Sequence, residues 1–262
     1  MRRIIKNKYF KIIIIILGFV SVLSLWEFLI IFYDVPKRIL PSPSSIIDYL
    51  LKDIKSGRYT LFVKCFSSVR DALLGFTLST LLGSLLGIVF SQVSSFKSIF
   101  APFTFIFQLL PVPAFAPVIA SAFGYGLETK IIIIVLFTIF PVIVTVESAV
   151  ERLSHSYLQL LATYNASNKE VIRLLLWPSI VPPLLTTMKI LTTASIVTSI
   201  ISELPLTVSG GIGKDIYNSF NNQIITRVWA SLFLISLISL MFFYSVTYFE
   251  KNIMNKYRYG KE

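Results

Sequence analysis

IIIIVLFTIFPVIVTVESA, at residues 131–149, carries one charged side chain, that of Glu147. A helix needs about 20 predominantly apolar residues to cross a bilayer, so this run predicts a membrane-spanning helix. Five other runs qualify or come close on the same grounds: 12–33, 75–93, 99–122, 183–202 and 228–249. Transmembrane β-strands are about 10 residues long and alternate in polarity, unlike these runs. The sequence therefore predicts an all-α, polytopic membrane protein with about six transmembrane helices.

The overall composition supports the same class. Of the 262 residues, 55% are hydrophobic and 14% charged, and the mean hydropathy is +0.78. A water-soluble domain has about 25% charged residues, so an ordinary cytosolic enzyme is excluded. We attribute the net charge of +11 to basic flanks facing anionic lipid rather than to nucleic-acid binding. The lone Cys65 and the lone His155 predict neither a disulfide nor a metal site, and we expect no cofactor.

Basic residues predict the direction of the spans. Five of them precede the first span, namely Arg2, Arg3, Lys6, Lys8 and Lys11. The positive-inside rule then places the N-terminus in the cytoplasm, and six crossings return the basic C-terminal tail to the same side. The segment 34–74 also holds several basic residues, but long loops are poor determinants of topology.

These considerations give a linear layout for a multi-pass protein of the inner (cytoplasmic) membrane. A cytoplasmic N-terminus (1–11) precedes the first transmembrane helix (12–33) and an extracytoplasmic segment (34–74). A core with five further transmembrane helices (75–250) contains a cytoplasmic loop (150–182), and a cytoplasmic tail (251–262) follows.

The loop contains the most informative local pattern. Leu158, Leu161, Ala162 and Ala166 form an apolar stripe at helical spacing. Asn165 is suited to a left-handed helix stop. Ser167 and Glu170 form an S-x-x-E capping box that predicts a second helix, and Pro178 is expected to end it. The pattern predicts a helix, a tight turn and a helix, which either docks on a partner or rests on lipid headgroups.

At this loop the chain resembles the permease subunits of binding-protein-dependent ATP-binding-cassette (ABC) importers, in particular the nitrate/sulfonate/taurine group. That family carries a cytoplasmic E-A-A-x-x-x-G loop with a proline about a dozen residues later. Here Gln159 to Asn165 occupy the register, and Pro178 follows. Gln159 replaces the glutamate, two leucines replace the alanines, and Asn165 replaces the glycine.

Further segments carry the resemblance over roughly residues 26–250. In order they are Trp26-Glu27, Leu40-Pro41-Ser42-Pro43-Ser44, Ser67-Ser68-Val69-Arg70, Pro111-Val112-Pro113-Ala114-Phe115-Ala116-Pro117, Gly124-Tyr125-Gly126, Phe140-Pro141, Glu203 and Gly211-Ile212-Gly213. The resemblance implies a type I importer permease fold. It also implies an ATP-binding partner subunit that the loop contacts through Gln159, Ala162, Asn165, Ala166, Ser167, Glu170 and Pro178.

Prolines in the third predicted span indicate a broken helix. Broken helices at membrane depth are tolerated where the backbone is buried or lines a water-filled cavity. Residues 108–117 are therefore our predicted pathway lining, through Gln108, Pro111, Pro113 and Phe115, although a simple kink is the alternative. Glu203 is either a further pathway or gate residue or a hydrated residue at the membrane boundary. Glu27 and Glu147 are expected to snorkel or to pair.

The functional prediction is an importer permease that hydrolyses nothing itself. The chain has no G-x-x-x-x-G-K-[ST] sequence, so ATP chemistry is assigned to a separate subunit. A sealed pathway needs two such chains, most simply a twofold homodimer. The alternative is an ion-coupled carrier that uses Glu27, Glu147 and Glu203 as proton sites, although such carriers usually contain internal repeats and none is evident.

The cargo is not identified by the sequence. Lys189 is the one cation within a predicted span, whereas the predicted lining, with Phe105, Gln108, Phe115 and Tyr125, is neutral and largely aromatic. This favours a small planar or zwitterionic solute. We expect an external solute-binding protein to supply the selectivity, with no tight site in the membrane.

Overall fold

Helices form the secondary structure of the computed structural model, which describes residues 8–109, 112–153, 155–204 and 210–258. They are α1 (Lys8–Phe32), α2 (Pro43–Lys55), α3 (Thr60–Gln92), α4 (Ser94–Leu109), α5 (Val112–Phe123), α6 (Leu127–Glu151), α7 (His155–Thr163), α8 (Asn168–Val171), a π-helical turn (Ile172–Leu176), α9 (Trp177–Ser202), α10 (Ile212–Asn221) and α11 (Ile225–Arg258). No strand occurs within the described ranges. The all-α prediction is confirmed.

Five helices among the described residues are long and apolar enough to cross a membrane. They are Ile13–Phe32, Thr60–Gln92, Leu127–Glu151, Asn168–Ser202 and Ile225–Asn255. The remaining predicted span, 99–122, consists of two shorter helices, α4 and α5, on either side of residues 110 and 111. Those two residues, which include Pro111, lie outside the described part of the chain. The broken helix that we predicted from the prolines of this span falls on these residues and stays a prediction.

Two helices extend beyond the boundaries expected from hydropathy. α3 begins at Thr60 rather than near residue 75, and α11 continues to Arg258 rather than ending near 249. Hydropathy locates only the part of a helix that is apolar enough for lipid, whereas a helix continues wherever its polar side chains are solvated or paired. The N-terminus of α3 is held by Asp53, which accepts hydrogen bonds from the Thr60 hydroxyl (2.5 Å) and the Leu61 N–H (3.2 Å).

The chain divides into two compact units, and the first comprises residues 1–63 with 215–234. In its described part, α2 begins with Ser42 as N-cap and Pro43 in the first turn, a combination that favours helix initiation. Glu27 of α1 accepts hydrogen bonds from the Ser44 N–H (3.0 Å) and the Ser44 hydroxyl (2.7 Å). This contact joins α2 to the late part of α1 and agrees with the predicted pairing role of Glu27.

The second unit comprises residues 64–214 with 235–262, and α6 and α9 pack extensively against each other within it. Its apolar core contains Phe76, Val142, Val146, Ala149, Ile180 and Leu191. α3 approaches α6 closely at Gly83 and Gly87. A Cβ added at Gly83 would lie 2.8 Å from Val142 Cβ, and one at Gly87 would lie 2.8 Å from Val146 Cβ. Small residues thus allow these membrane helices to pack at short range.

Candidate functional site

The end of α7 is a Schellman turn centred on Asn165. Asn165 has a φ of 52°, in the left-handed region that non-glycine residues rarely adopt. The Ala166 N–H donates to the Leu161 carbonyl and the Asn165 N–H to the Ala162 carbonyl, both at 3.0 Å. This is the hydrogen-bond pattern that closes a helix before a left-handed residue. The predicted helix stop is confirmed.

The second helix begins with the predicted capping box. The Ser167 hydroxyl accepts from the Glu170 N–H at 3.4 Å, and Glu170 Oε2 accepts from the Ser167 N–H at 2.7 Å. Both ends of the turn are therefore fixed by local hydrogen bonds. We refer to residues 155–176 as the α7–α8 hairpin.

The prediction that Pro178 ends this helix is wrong. Residues Asn168–Ser202 form one continuous helix of 35 residues that contains Pro178. The backbone just before the proline is π-helical, and the Trp177 N–H donates to the Ile172 carbonyl five residues earlier. The hydrogen-bond register changes at this π-helical turn, so Pro178 lies in the first turn of the α-helical segment α9. Proline is tolerated in a first turn because its lack of an N–H costs no helical hydrogen bond there.

The α7–α8 hairpin presents apolar side chains on its surface. Tyr164, next to the turn, is 78% exposed, and Leu160, Ile172 and Leu174 are each more than half exposed. Ala162 and Asn165 are exposed as well, and Ala166 is half-buried. Small side chains at the turn are thus flanked by large apolar ones, an arrangement that fits a contact surface.

A buried ion cluster joins α3, α6 and the end of α9. Lys130 Nζ lies 2.5 Å from Asp71 Oδ2 and 2.6 Å from Glu203 Oε1. The three side chains are at most 3% exposed. Arg70, itself half exposed, donates to the Asp71 carboxylate at 2.8 Å. Two cations thus balance two carboxylates, which meets the requirement that buried charges be paired.

Glu203 is therefore not the hydrated boundary residue that was one of our two expectations. Its carboxylate also accepts from the Ser68 hydroxyl (2.7 Å) and the Gly213 N–H (2.7 Å). The Ser68 hydroxyl in turn accepts from the Ile212 N–H at 2.9 Å. Neither Gly211 nor Gly213 could carry a Cβ without overlapping Glu203. The start of α10 is thus folded directly onto the carboxylate.

Sequence reasoning missed the cluster around Glu203, namely its partners Lys130 and Ser68 and the second carboxylate on Lys130, that of Asp71. Lys130 directly precedes the isoleucine run at 131–134, and we singled out no role for it. Its partners lie 59 residues earlier, at Asp71, and far later in the chain, at Glu203. The sequence did contain one signal, an aspartate and a lysine that each lie just before a long apolar run. Because ionisable groups at membrane depth usually pair, these two residues could have been predicted to form an ion pair.

The predicted pathway residues are only partly described by the structure. Gln108 lies near the end of α4 and Pro113 near the start of α5, but their side chains fall outside the described part, as does Pro111 entirely. Phe115 is half-buried on α5, and Glu203 belongs to the ion cluster. Their role in a pathway stays a prediction.

A polar cleft lies between the end of α6 and the start of α9. It has a volume of about 720 Å³ and is lined by Val144, Thr145, Ser148, Ala149, Arg152, Leu153, Ser179, Pro183, Thr186 and Thr187. Five of these residues carry hydroxyl groups. In membrane-spanning helices, clustered polar side chains usually face another helix or a water-filled cavity. We refer to this space as the α6–α9 cleft.

Residues 79–255 match the family model described as "Binding-protein-dependent transport system inner membrane component". The chain belongs to this family. The match covers more than half of the chain, including the α7–α8 hairpin and the α6–α9 cleft.

Individual members of the family are similar along most of the chain. The formylaminopyrimidine transport permease protein ThiX of Halalkalibacterium halodurans is 26% identical over 247 residues, covering 92% of this chain and 94% of ThiX. The nitrate import permease protein NrtB of Synechocystis sp. is 20% identical over 209 residues, covering 77% and 76%. The riboflavin transport system permease protein RibX of Chloroflexus aurantiacus is 25% identical over 162 residues, covering 62% and 60%.

A solved structure shares the fold. The MetNI methionine ABC transporter, crystallised in an inward-facing conformation, contains a chain that superposes with a TM-score of 0.64. The alignment covers 76% of this chain and 98% of that one at 14% identity, a level at which only the fold is comparable. The predicted ABC importer permease fold is confirmed.

Family membership establishes the general function. The chain is the multi-pass inner-membrane subunit of an ABC importer that moves a solute delivered by a binding protein, and a separate subunit hydrolyses ATP. Its partners are therefore an ATP-binding subunit and a solute-binding protein. This permease assignment decides against the ion-coupled carrier that we considered as the alternative.

Proposed function

We propose that this permease is driven by its ATP-binding subunit through the α7–α8 hairpin. The observation that carries the proposal is the Schellman turn at Asn165, which is hydrogen-bonded on both sides and lies next to the exposed Tyr164. A turn fixed before binding loses little conformational entropy on docking. An anchor lying on lipid headgroups would instead need a basic polar face, and the hairpin offers only Lys169 and Arg173.

The contact is expected at the turn itself. Gln159, Ala162, Asn165 and Ala166 lie at its α7 side, and Ser167 and Glu170 form the cap that follows. Small side chains allow the backbone of the turn to enter a groove. Pro178 lies beyond the π-helical turn, where it supports the change of helix geometry rather than the contact.

Two copies of the chain would form the pathway. One copy provides five long apolar helices together with α4 and α5, which are too few to enclose a sealed, alternating route for a solute. A twofold homodimer is the simplest assembly that supplies the missing half. The residues that we propose along the route are Gln108, Pro111, Pro113 and Phe115. The full burial of Glu203 favours a role in holding the helices over direct contact with the solute.

Both termini are proposed to lie in the cytoplasm. α4 and α5 together make one crossing, which gives six crossings with the five long helices. The basic residues at 2–11 and 251–261 then flank the cytoplasmic face. With this orientation the segment 34–74 is extracytoplasmic, the core is 75–250, and the loop 150–182 faces the ATP-binding subunit.

The cargo is proposed to be a small solute selected by the binding protein. The relatives are named for a formylaminopyrimidine, riboflavin and nitrate, all of which are planar or contain a planar group. Lys189, the one cation that we singled out within a span, is paired with Glu250 at 2.9 Å, so it offers no free charge to a solute. A planar solute that is neutral or weakly anionic fits these observations.

The docking proposal is tested with Ala166→Arg in the complete transporter reconstituted in vesicles. ATP hydrolysis should lose its stimulation by the loaded binding protein, and uptake should stop, while the permease stays folded. Asn252→Arg, on an exposed position of α11, is the matched control and should couple normally. Normal coupling in the Ala166→Arg complex would contradict the proposal.

The homodimer is tested by native mass spectrometry of the purified transporter. Two copies of this 29.6 kDa chain per complex are expected. One copy paired with a different membrane subunit would overturn this part of the proposal and leave the docking surface unaffected.

A further inference from the structure

We propose that the α6–α9 cleft is a solute-contacting site of the permease and that it accepts a small, hydrogen-bond-accepting solute without net positive charge. This inference rests on the proposed function and adds a location and a ligand chemistry to it. A volume of about 720 Å³ is within the range of small-molecule sites. The cleft also differs from the residues 108–117 that the sequence indicated as a lining.

The hydroxyl groups of the cleft fall into two classes. Thr145 donates to the Pro141 carbonyl at 2.7 Å, and its oxygen lies 2.9 Å from that of Thr187. Because the single proton of Thr145 is already used, Thr187 must be the donor in that pair. The hydroxyl of Ser148, by contrast, has no hydrogen-bond partner among the described residues. Ser148 is therefore available to a solute.

The charge of the cleft comes from Arg152. This arginine forms no ion pair within the described chain, and it is the C-cap of α6, one helical turn after Ser148. No carboxylate is present among the residues that line the cleft. Glu147 and Glu151, the acids next to Ser148 and Arg152 in the chain, are not among the lining residues, and Glu250 is held by Lys189 at 2.9 Å and contacts Thr186 at 3.2 Å. A cationic solute is therefore disfavoured, and hydrogen-bond acceptors are favoured.

The backbone of α9 adds further polarity at the same place. Pro183 carries no N–H, so the Ser179 carbonyl lacks its normal helical donor four residues later. Both residues line the cleft. Prolines in transmembrane helices are tolerated where side chains, or water in a cavity, form hydrogen bonds with the backbone groups that the proline leaves unpaired.

The position of the cleft links it to the hairpin. Arg152 and Leu153 directly follow α6 and precede α7, and Ser179 lies just after the π-helical turn. The two walls of the cleft are thus the two helix ends that carry the α7–α8 hairpin. We expect a displacement of the hairpin on ATP binding to move these helix ends and so to change the width of the cleft. The site is consequently placed to release a solute on the side of the ATP-binding subunit.

Charged thiol reagents test this site without knowledge of the cargo. Ser148→Cys and, separately, Thr187→Cys are made in a Cys65→Ala background, since Cys65 is the single native cysteine. The complete transporter in nanodiscs is treated with 2-sulfonatoethyl methanethiosulfonate (anionic) or its trimethylammonium analogue (cationic). Each rate is divided by the rate of the same reagent with free 2-mercaptoethanol. Val20→Cys on α1, which is surrounded by exposed apolar side chains, is the control and should react with neither reagent.

A water-filled cleft with a free arginine predicts a clear preference. The anionic reagent should react about tenfold faster than the cationic one at Ser148→Cys, and Arg152→Gln should abolish the preference. Equal normalised rates that do not respond to Arg152→Gln would overturn the inference, and so would the absence of reaction at both cysteines. Both results would leave the proposed function intact if the same complexes still hydrolyse ATP under control of the binding protein. Loss of that control in the unsubstituted complex would instead contradict the proposed function.

Discussion

Lys130 Nζ lies 2.6 Å from Glu203 Oε1, and both side chains are inaccessible to solvent. Lys130 begins the apolar part of α6, and Glu203 caps the C-terminus of α9. The same ammonium group contacts Asp71 of α3, so three helices are connected through one cation. A single neutral substitution at Lys130 would leave two carboxylates buried with only Arg70 to balance them.

Lys130→Met should therefore destabilise the permease strongly, by about 3–5 kcal/mol, because uncompensated buried charge costs more than the ion pair contributes. Thermal unfolding of the purified protein in detergent measures the loss. Lys189→Met is the matched control, since its pair with Glu250 is more exposed and should matter less. Similar losses for the two variants would show that the cluster is not critical for stability.

Gly213→Ala tests the close approach of α10 to Glu203. The added Cβ would lie 2.8 Å from Glu203 Cβ and would also overlap the Ile200 carbonyl oxygen. We expect a destabilisation of about 1–3 kcal/mol from overpacking. Gly18→Ala in α1 has no atom within 4 Å of its new Cβ, and it should be neutral or slightly stabilising. An unchanged melting temperature for Gly213→Ala would mean that the start of α10 can move away from Glu203.

Asn165→Gly and Asn165→Val distinguish the role of the left-handed turn. Glycine adopts a φ near 52° without strain and should retain ATPase stimulation by the binding protein. Valine should cost about 1–2 kcal/mol in that conformation and displace the turn, so stimulation should fall. If the valine variant couples as well as the glycine variant, the geometry of the turn is not required for docking.

Glu27→Ala should loosen the start of α2. It removes the acceptor of two hydrogen bonds from Ser44, and hydrogen bonds to a charged group contribute about 1.5–3 kcal/mol each. Hydrogen–deuterium exchange of the α2 amides should accelerate in Glu27→Ala and much less in Glu27→Gln, which keeps one acceptor oxygen. Equal exchange in both variants and the unsubstituted protein would show that Ser42 and Pro43 alone hold the helix start.

Features that depend on neighbouring residues could be predicted from the sequence. The stop at Asn165 and the cap formed by Ser167 and Glu170 are set within one helical turn, and the structure has both. Pro178 shows where a local rule fails, because the π-helical turn before it changes the hydrogen-bond register that the rule assumes.

The ion cluster and the polar cleft depend on helices that are distant in the chain. Nothing near Lys130 indicates that Asp71 and Glu203 face it, since this depends on how α3, α6 and α9 rotate against one another. The same holds for Ser148 and Thr187, which lie on different helices and become neighbours only across the α6–α9 cleft. Packing at Gly83 and Gly87 sets part of that rotation, and hydropathy contains no information about it.

The continuous helix from Asn168 to Ser202 has a mechanical consequence. At 1.5 Å per residue its 35 residues span about 50 Å. One end starts at the capping box of Ser167, and the other ends at Glu203 in the ion cluster. A tilt of about 5° over that length displaces one end by about 4 Å relative to the other. If the helix moves as a rigid rod, a nucleotide-driven shift at the hairpin therefore displaces Glu203 relative to Lys130. No relay of side chains between the two ends is needed.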